Sequence, residues 1–171
     1  MPATYTLINS NVLTSSQASV TFSAIPSTYT DLVLRVSARS DGATTSGALQ
    51  IQPNSQTSGF SSTNIWGVDS AASSERKTAE TQYVFRRSIP GTSMTSNTFG
   101  SAEVYIPNYA ASNAKVLGAY LVTETNAALD AAINAFANLN TNTAAITSLT
   151  ITCGYNFVSG SSFYLYGVSN A

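Results

Sequence analysis

The spacing Ser-x-x-Lys occurs twice in the chain, at Ser74–Lys77 and at Ser112–Lys115. On a helix it sets an amine one turn from a hydroxyl, where lysine can take the serine proton for acyl transfer. Neither copy begins a helical pattern. The companion Ser-Asp-Asn and Lys-Thr-Gly motifs are missing, since Lys77-Thr78 runs into Ala79. With 26 serines, such matches arise by chance. Paired carboxylates are the other chemistry to weigh. A glycosidase needs two carboxyl groups roughly 5–10 Å apart. Glu103 and Glu124 fall on separate strand-like runs, but no local motif supports them. Asp41, Asp69 and Asp130 are too scattered for a calcium loop.

Composition narrows the field further. The 171 residues include no histidine, so no imidazole base or ligand exists. A lone Cys153 can form no internal disulfide and no zinc site by itself. No cofactor and no metal are expected, and catalysis is not. Net charge is −1, which gives no field for nucleic acid. No apolar run approaches the ~20 residues of a membrane helix, and MPATYTLINS lacks the regions of a signal peptide. Charged residues are 9% of the chain, against about 25% in ordinary domains. Serine, threonine and asparagine, 62 of 171 residues, must therefore make most of the surface.

The elements that would position any site are strands. Short apolar-alternating runs recur along the whole chain, the pattern of an all-β sandwich or barrel in a single domain over residues 1–171. They are Ala3–Ile8, Ser19–Ala24, Leu32–Arg39, Ala48–Gln52, Gln82–Arg87, Ser101–Ile106, Val116–Thr123, Ala132–Leu139, Ile146–Cys153 and Ser162–Val168. Val20, Phe22 and Ala24 share one face; so do Ala102, Val104 and Ile106, and Leu149, Ile151 and Cys153. Cys153 thus reads as a small buried thiol. Alanine-rich 126–137 reads as strand after one helical turn near Ala127–Ala131, with Asn134, Phe136 and Asn138 alternating against Ile133, Ala135, Ala137 and Leu139.

Ten of the fifteen charges lie in two windows, residues 31–41 and 75–87, and residues 131–171 carry none. Uncharged strands must be central in a sheet or face another subunit; the second choice argues for an oligomer. Arg35, Arg39, Arg76, Lys77, Arg86 and Arg87 are the candidate partner contacts. Trp66, Tyr83, Tyr105 and Tyr109 are the candidate aromatic binding surface, because Tyr and Trp join large contact area to a polar handle.

Three stretches carry a family resemblance: YTLINSNVLTSSQASVTFSAIPSTYTDLVLRVSARSD, TFGSAEVYIPNYAASNAK, and NTAAITSLTI with NFVSGSSFYLYGVSNA. Taken in order they resemble small virion proteins of tailed phages, in particular those of aquatic bacteria and cyanobacteria. Similar segments occur in capsid decoration (cement) proteins and in head domains of tail fibres. The resemblance implies a jelly-roll-like antiparallel β-sandwich on the capsid exterior, made in the host cytoplasm. It implies the major capsid protein and sister copies, as a homotrimer, for partners; charge and hydropathy give the expectation of no nucleic acid and no membrane. The sequence enters its first strand directly after Met1 and has no shaft repeat, which favours decoration of a head. The alternative is a tail-fibre, receptor-binding or carbohydrate-binding module that holds a host glycan through Trp66 and exposed tyrosines.

Overall fold

In β8 (Gly100–Ile106) Ala102, Val104 and Ile106 are buried while Ser101, Glu103 and Tyr105 face solvent, so a period of two sets the strand and its inner face. The same rule builds most of the molecule. The computed structural model describes residues 4–68, 70–124 and 131–169. Its other strands are β1 (Tyr5–Val12), β2 (Gln17–Phe22), β3 (Asp31–Ala38), β4 (Gly47–Pro53), β5 (Phe60–Val68), β6 (Ala71–Glu80), β7 (Tyr83–Ile89), β9 (Lys115–Glu124), β10 (Ala131–Asn140), β11 (Leu149–Phe157) and β12 (Ser162–Val168). No helix occurs among the described residues. The helical turn expected near Ala127–Ala131 falls on residues 127–130, outside the described set; Ala131 opens β10.

Two antiparallel sheets face each other. One has eight strands in the order β1-β12-β3-β8-β9-β10-β5-β6, the other four in the order β2-β11-β4-β7. Without β5, β6, β9 and β10, eight strands remain. Their order is first, last, third, sixth in one sheet and second, seventh, fourth, fifth in the other. That is the double Greek key of a jelly roll. The hairpins β5–β6 and β9–β10 are insertions into it. Both extend the same edge of the same sheet, and they pair with each other through β10 and β5.

The core lies between the sheets, with Leu34, Val104, Leu121, Phe163 and Leu165 meeting Phe22, Leu49, Ile51, Leu149 and Ile151. Phe157 of β11 and Phe163 of β12 join the layers edge to face, ring centroids 4.9 Å apart. The extension is held more thinly. Among the described strands, β7 lies beneath it, through Phe85–Phe136 at 5.3 Å and Phe60–Tyr83 at 4.9 Å. Cys153 is buried, as its position in the alternation predicts, and burial pushes its thiol pKa up. Ala24 departs from the expected pattern. The chain turns there with φ 53°, ending β2 at Phe22, and Ile25 fills the buried place.

Strand order accounts for part of the uneven charge, since the edge strands β1 and β2 carry none. β10, β11 and β12 each have a neighbour on both sides, so the last 41 residues need no charged edge. The need for a sister subunit to cover them disappears. The second charge window instead falls on β6 and β7, which are sheet edges. Glu75, Arg76, Lys77 and Glu80 mark one edge and Arg86 and Arg87 the other, where charge discourages pairing with a foreign strand.

Candidate functional site

The six candidate cations do not form one surface. Arg39 is buried, 7% exposed. β3 ends at Ala38, so the outward parity of Arg35 and Ser37 does not carry on to residue 39. The Arg39 guanidinium turns into the 94–98 loop instead. Nη1 donates to Thr95 O at 2.7 Å, Thr98 O at 3.0 Å and Thr98 Oγ1 at 3.2 Å, and Nη2 donates to Met94 O at 3.1 Å. Its role is to hold a loop. Arg35 remains outside, its Nε 2.8 Å from Glu103 Oε2 and its guanidinium 6.0 Å from the Tyr166 ring. An ion pair this exposed contributes little stability. Arg76 shares that outward face, because it pairs with Thr63. Lys77, Arg86 and Arg87 lie on the opposite side of the extension. Lys77 Nζ is 2.6 Å from Glu75, Arg86 Nη2 donates to Glu80 Oε1 at 3.0 Å, and Arg87 covers the Trp66 ring at 5.2 Å. The hydrogen bond from Lys77, with the charges of Arg86 and Arg87, holds the Glu75 carboxyl below its usual range.

The aromatic candidates divide likewise. Tyr83 and Tyr109 are buried, so neither contributes to a binding surface. Tyr83 packs on Phe60, and the Tyr109 hydroxyl donates to the Pro26 carbonyl. Tyr105 is 41% exposed and donates to Asp31 Oδ2 at 2.6 Å. That bond to a carboxylate pushes its pKa up to about 12; burial raises those of Tyr83 and Tyr109. These phenols keep their protons in the fold but lose them near pH 10 when unfolded. The sign is therefore fixed. Their contribution is whole below about pH 10 and is lost as pH rises toward 12. Thermal melts followed by circular dichroism should hold one midpoint from neutrality to about pH 9.5, then fall steeply.

Neither Ser-x-x-Lys copy is a reactive pair. Ser74 and Lys77 lie on β6, where residues three apart point to opposite faces. Lys115 is 2% exposed, and its Nζ donates to the carbonyls of Ala111, Asn113 and Thr143. Burial pulls its pKa down. All three ammonium donors are used on backbone. Glu103 sits opposite Tyr120, four residues along β9 from Glu124. At ~3.3 Å per residue that is about 13 Å, too far for a glycosidase pair. Glu124 accepts from Thr95 N–H at 2.9 Å and from Thr98 Oγ1 at 3.1 Å. No cluster of three or more potential metal-ligating His, Cys, Asp or Glu residues occurs among the described residues. Asp41 accepts from the backbone and side chain of Asn156. Asp69 and Asp130 lie outside the described residues.

What the inserted hairpins do present is an apolar outward face. β10 is inverted relative to an ordinary core strand. Asn134, Asn138 and Asn140 point inward and are buried, while Ile133, Ala135, Ala137 and Leu139 point outward. Register aligns them with Val116, Tyr120 and Val122 of β9 and with Ile65 of β5. Ile65 is 60% exposed, Val116 55%, Tyr120 53% and Ile133 47%. Small residues at Gly67, Ala72, Ser74 and Ala135 leave a shallow hollow of about 570 Å³ beside Ile65 and Ile133. An exposed apolar area of this kind is a candidate interaction surface.

The chain gives no significant match to any protein-family model, curated protein or solved structure.

Two signals for this face are present in the sequence. β9 carries apolar residues at both parities, Val116 and Leu117 then Tyr120, Leu121 and Val122, and β10 puts asparagines opposite its apolar set. A strand with two apolar faces has two surfaces to cover.

Proposed function

We propose that this chain is a virion structural protein that decorates an assembled phage head, docking on the major capsid protein through the outward face of its two inserted hairpins. The apolar field of Ile65, Val116, Tyr120 and Ile133, with its hollow, is the observation that carries the reading. The resemblance of the three ordered segments to phage virion proteins supplies the partner. Binding only to the closed shell shifts the equilibrium toward that shell. Size points to shared attachment. Four strands ~4.8 Å apart and about ten residues long offer roughly 600 Å², less than the ~800 Å² per partner of a stable complex. Several copies acting together, as in a homotrimer, make up the difference through avidity.

Heads purified without the protein and mixed with it should bind it to saturation at copy numbers comparable to the capsid protein. Tyr120→Asp with Ile133→Asp should weaken that attachment at least ~100-fold, because each carboxylate would be desolvated against the shell. Attachment should persist at ~0.5 M salt, since apolar contacts are not screened. A few dozen copies per particle, confined to the tail, would favour the tail-module reading instead.

A further inference from the structure

The inner side of the same extension holds a second, differently built site. Where β7, alone among the described strands, lies beneath β10, β5 and β6, a cleft of about 230 Å³ opens, lined by Asn64, Trp66, Glu75, Arg86, Arg87 and Asn134. Asn64 is 3% exposed and Asn134 1%. The Asn134 amide is oriented by its Nδ2, which donates to the Arg87 carbonyl at 3.0 Å. Its Oδ1 is buried with no partner, and so are Asn64 Oδ1 and Arg86 Nη1. Buried polar atoms are nearly always paired, so three on one cleft without a protein partner point to a ligand-binding site.

The chemistry of those atoms selects a class of ligand. Two carbonyl oxygens can only accept, and a guanidinium nitrogen can only donate. A cation is opposed by Arg86 and Arg87. An anion is opposed by the two carbonyl oxygens and by the Glu75 carboxylate. A neutral polyol donates and accepts at adjacent hydroxyls, which matches all three atoms, while the Arg87 guanidinium already lies over the Trp66 ring at the cleft wall. The volume is below the ~300 Å³ at which drug-sized pockets begin, enough for one ring. We propose that this cleft binds a single neutral sugar ring, with hydroxyls donating to Asn64 Oδ1 and Asn134 Oδ1 and one accepting from Arg86 Nη1. The site does not depend on what the outward face touches. Asn64 faces the cleft and its neighbour Ile65 faces outward, while Trp66 lines both the cleft and the outward hollow.

Trp66, the only tryptophan in the chain, lines both the cleft and the outward hollow, so its fluorescence reports binding and the Asn64 and Asn134 variants assign that binding to the cleft. The full chain is titrated with methyl glycosides of glucose, mannose, galactose and N-acetylglucosamine, with methyl glucuronide and inorganic phosphate as anionic probes. At least one neutral glycoside should give a saturable change at ~mM concentration, the range open to a ligand of so few atoms. Asn64→Leu with Asn134→Leu should weaken it at least tenfold while the melting temperature holds or rises. Arg86→Gln, at a half-exposed position, is the second variant if the pair does not fold, and should weaken binding likewise. Saturation-transfer NMR with glycoside-bearing and free-sugar probes separates a surface glycan from a free sugar as the source. No response to any neutral glycoside, a preference for glucuronide or phosphate, or binding unchanged in the variants would each overturn the proposal.

Discussion

Arg39→Met should lower unfolding free energy by roughly 3 kcal/mol with an unchanged denaturant slope. Two effects oppose each other. Methionine removes the cost of burying a guanidinium and fills similar space, which favours the variant. Against that, Met94 O, Thr95 O and Thr98 O lose charged donors at 2.7–3.1 Å. Hydrogen bonds from charged groups contribute ~1.5–3 kcal/mol each, and a buried acceptor left unmade costs ~1–3 kcal/mol. The second effect wins because three carbonyls share one donor group. Arg39→Lys should rescue little, since an ammonium cannot reproduce the planar fork that reaches them. Hydrogen exchange should show the loosening concentrated at residues 94–98. A midpoint shift worth less than ~0.5 kcal/mol, the range of an ordinary surface change, would return Arg39 to the surface.

Lys115→Met should cost roughly 2 kcal/mol by the same logic on a smaller cage. Its ammonium binds the carbonyls of Ala111, Asn113 and Thr143, joining the turn before β9 to the segment after β10. Ser112, three residues earlier, is exposed, and Ser112→Ala should change stability by no more than ~0.5 kcal/mol. The contrast between the two substitutions tests the architectural reading of the Ser-x-x-Lys spacing. Equal losses in both would mean that the hydroxyl and the amine work as a pair.

The sequence was most legible where one face of a strand is polar and the other apolar. Val20 and Phe22, Ala102 to Ile106, and Leu149 to Cys153 all sit as their alternation requires. It was least legible in the insertions. β5 places Ser62 and Asn64 inward among buried positions, and β6 is largely solvent-facing, so neither shows an apolar period. Both strands went unread for that reason. Arg39 misled because a parity that holds along β3 ends with the strand one residue earlier. Tyr83 and Tyr109 misled because composition cannot say which aromatics the core consumes. The candidate surfaces follow the same division. Trp66, Arg86 and Arg87 were visible as residue types, but their meeting with Asn64 and Asn134 depends on β7 crossing beneath the extension, a contact that local patterns do not encode.

The pairing of β1 with β12 also sets a clock. β1 is completed only by β12, and Tyr5 pairs with Val168, about 160 residues further along. On a ribosome adding roughly 5–20 residues per second, the N-terminal strand waits many seconds for its neighbour. The hairpin β9–β10, whose ten cross-strand pairs are local, can close long before then. The jelly-roll wrap cannot. Non-local β folds mature over milliseconds to seconds once all their strands are present. A finished apolar face on β9 and β10 therefore precedes a finished protein, and for that interval β1 is an unpaired uncharged strand in a crowded cell. Speed of synthesis and folding temperature, as much as final stability, will govern how much of this chain reaches its folded form.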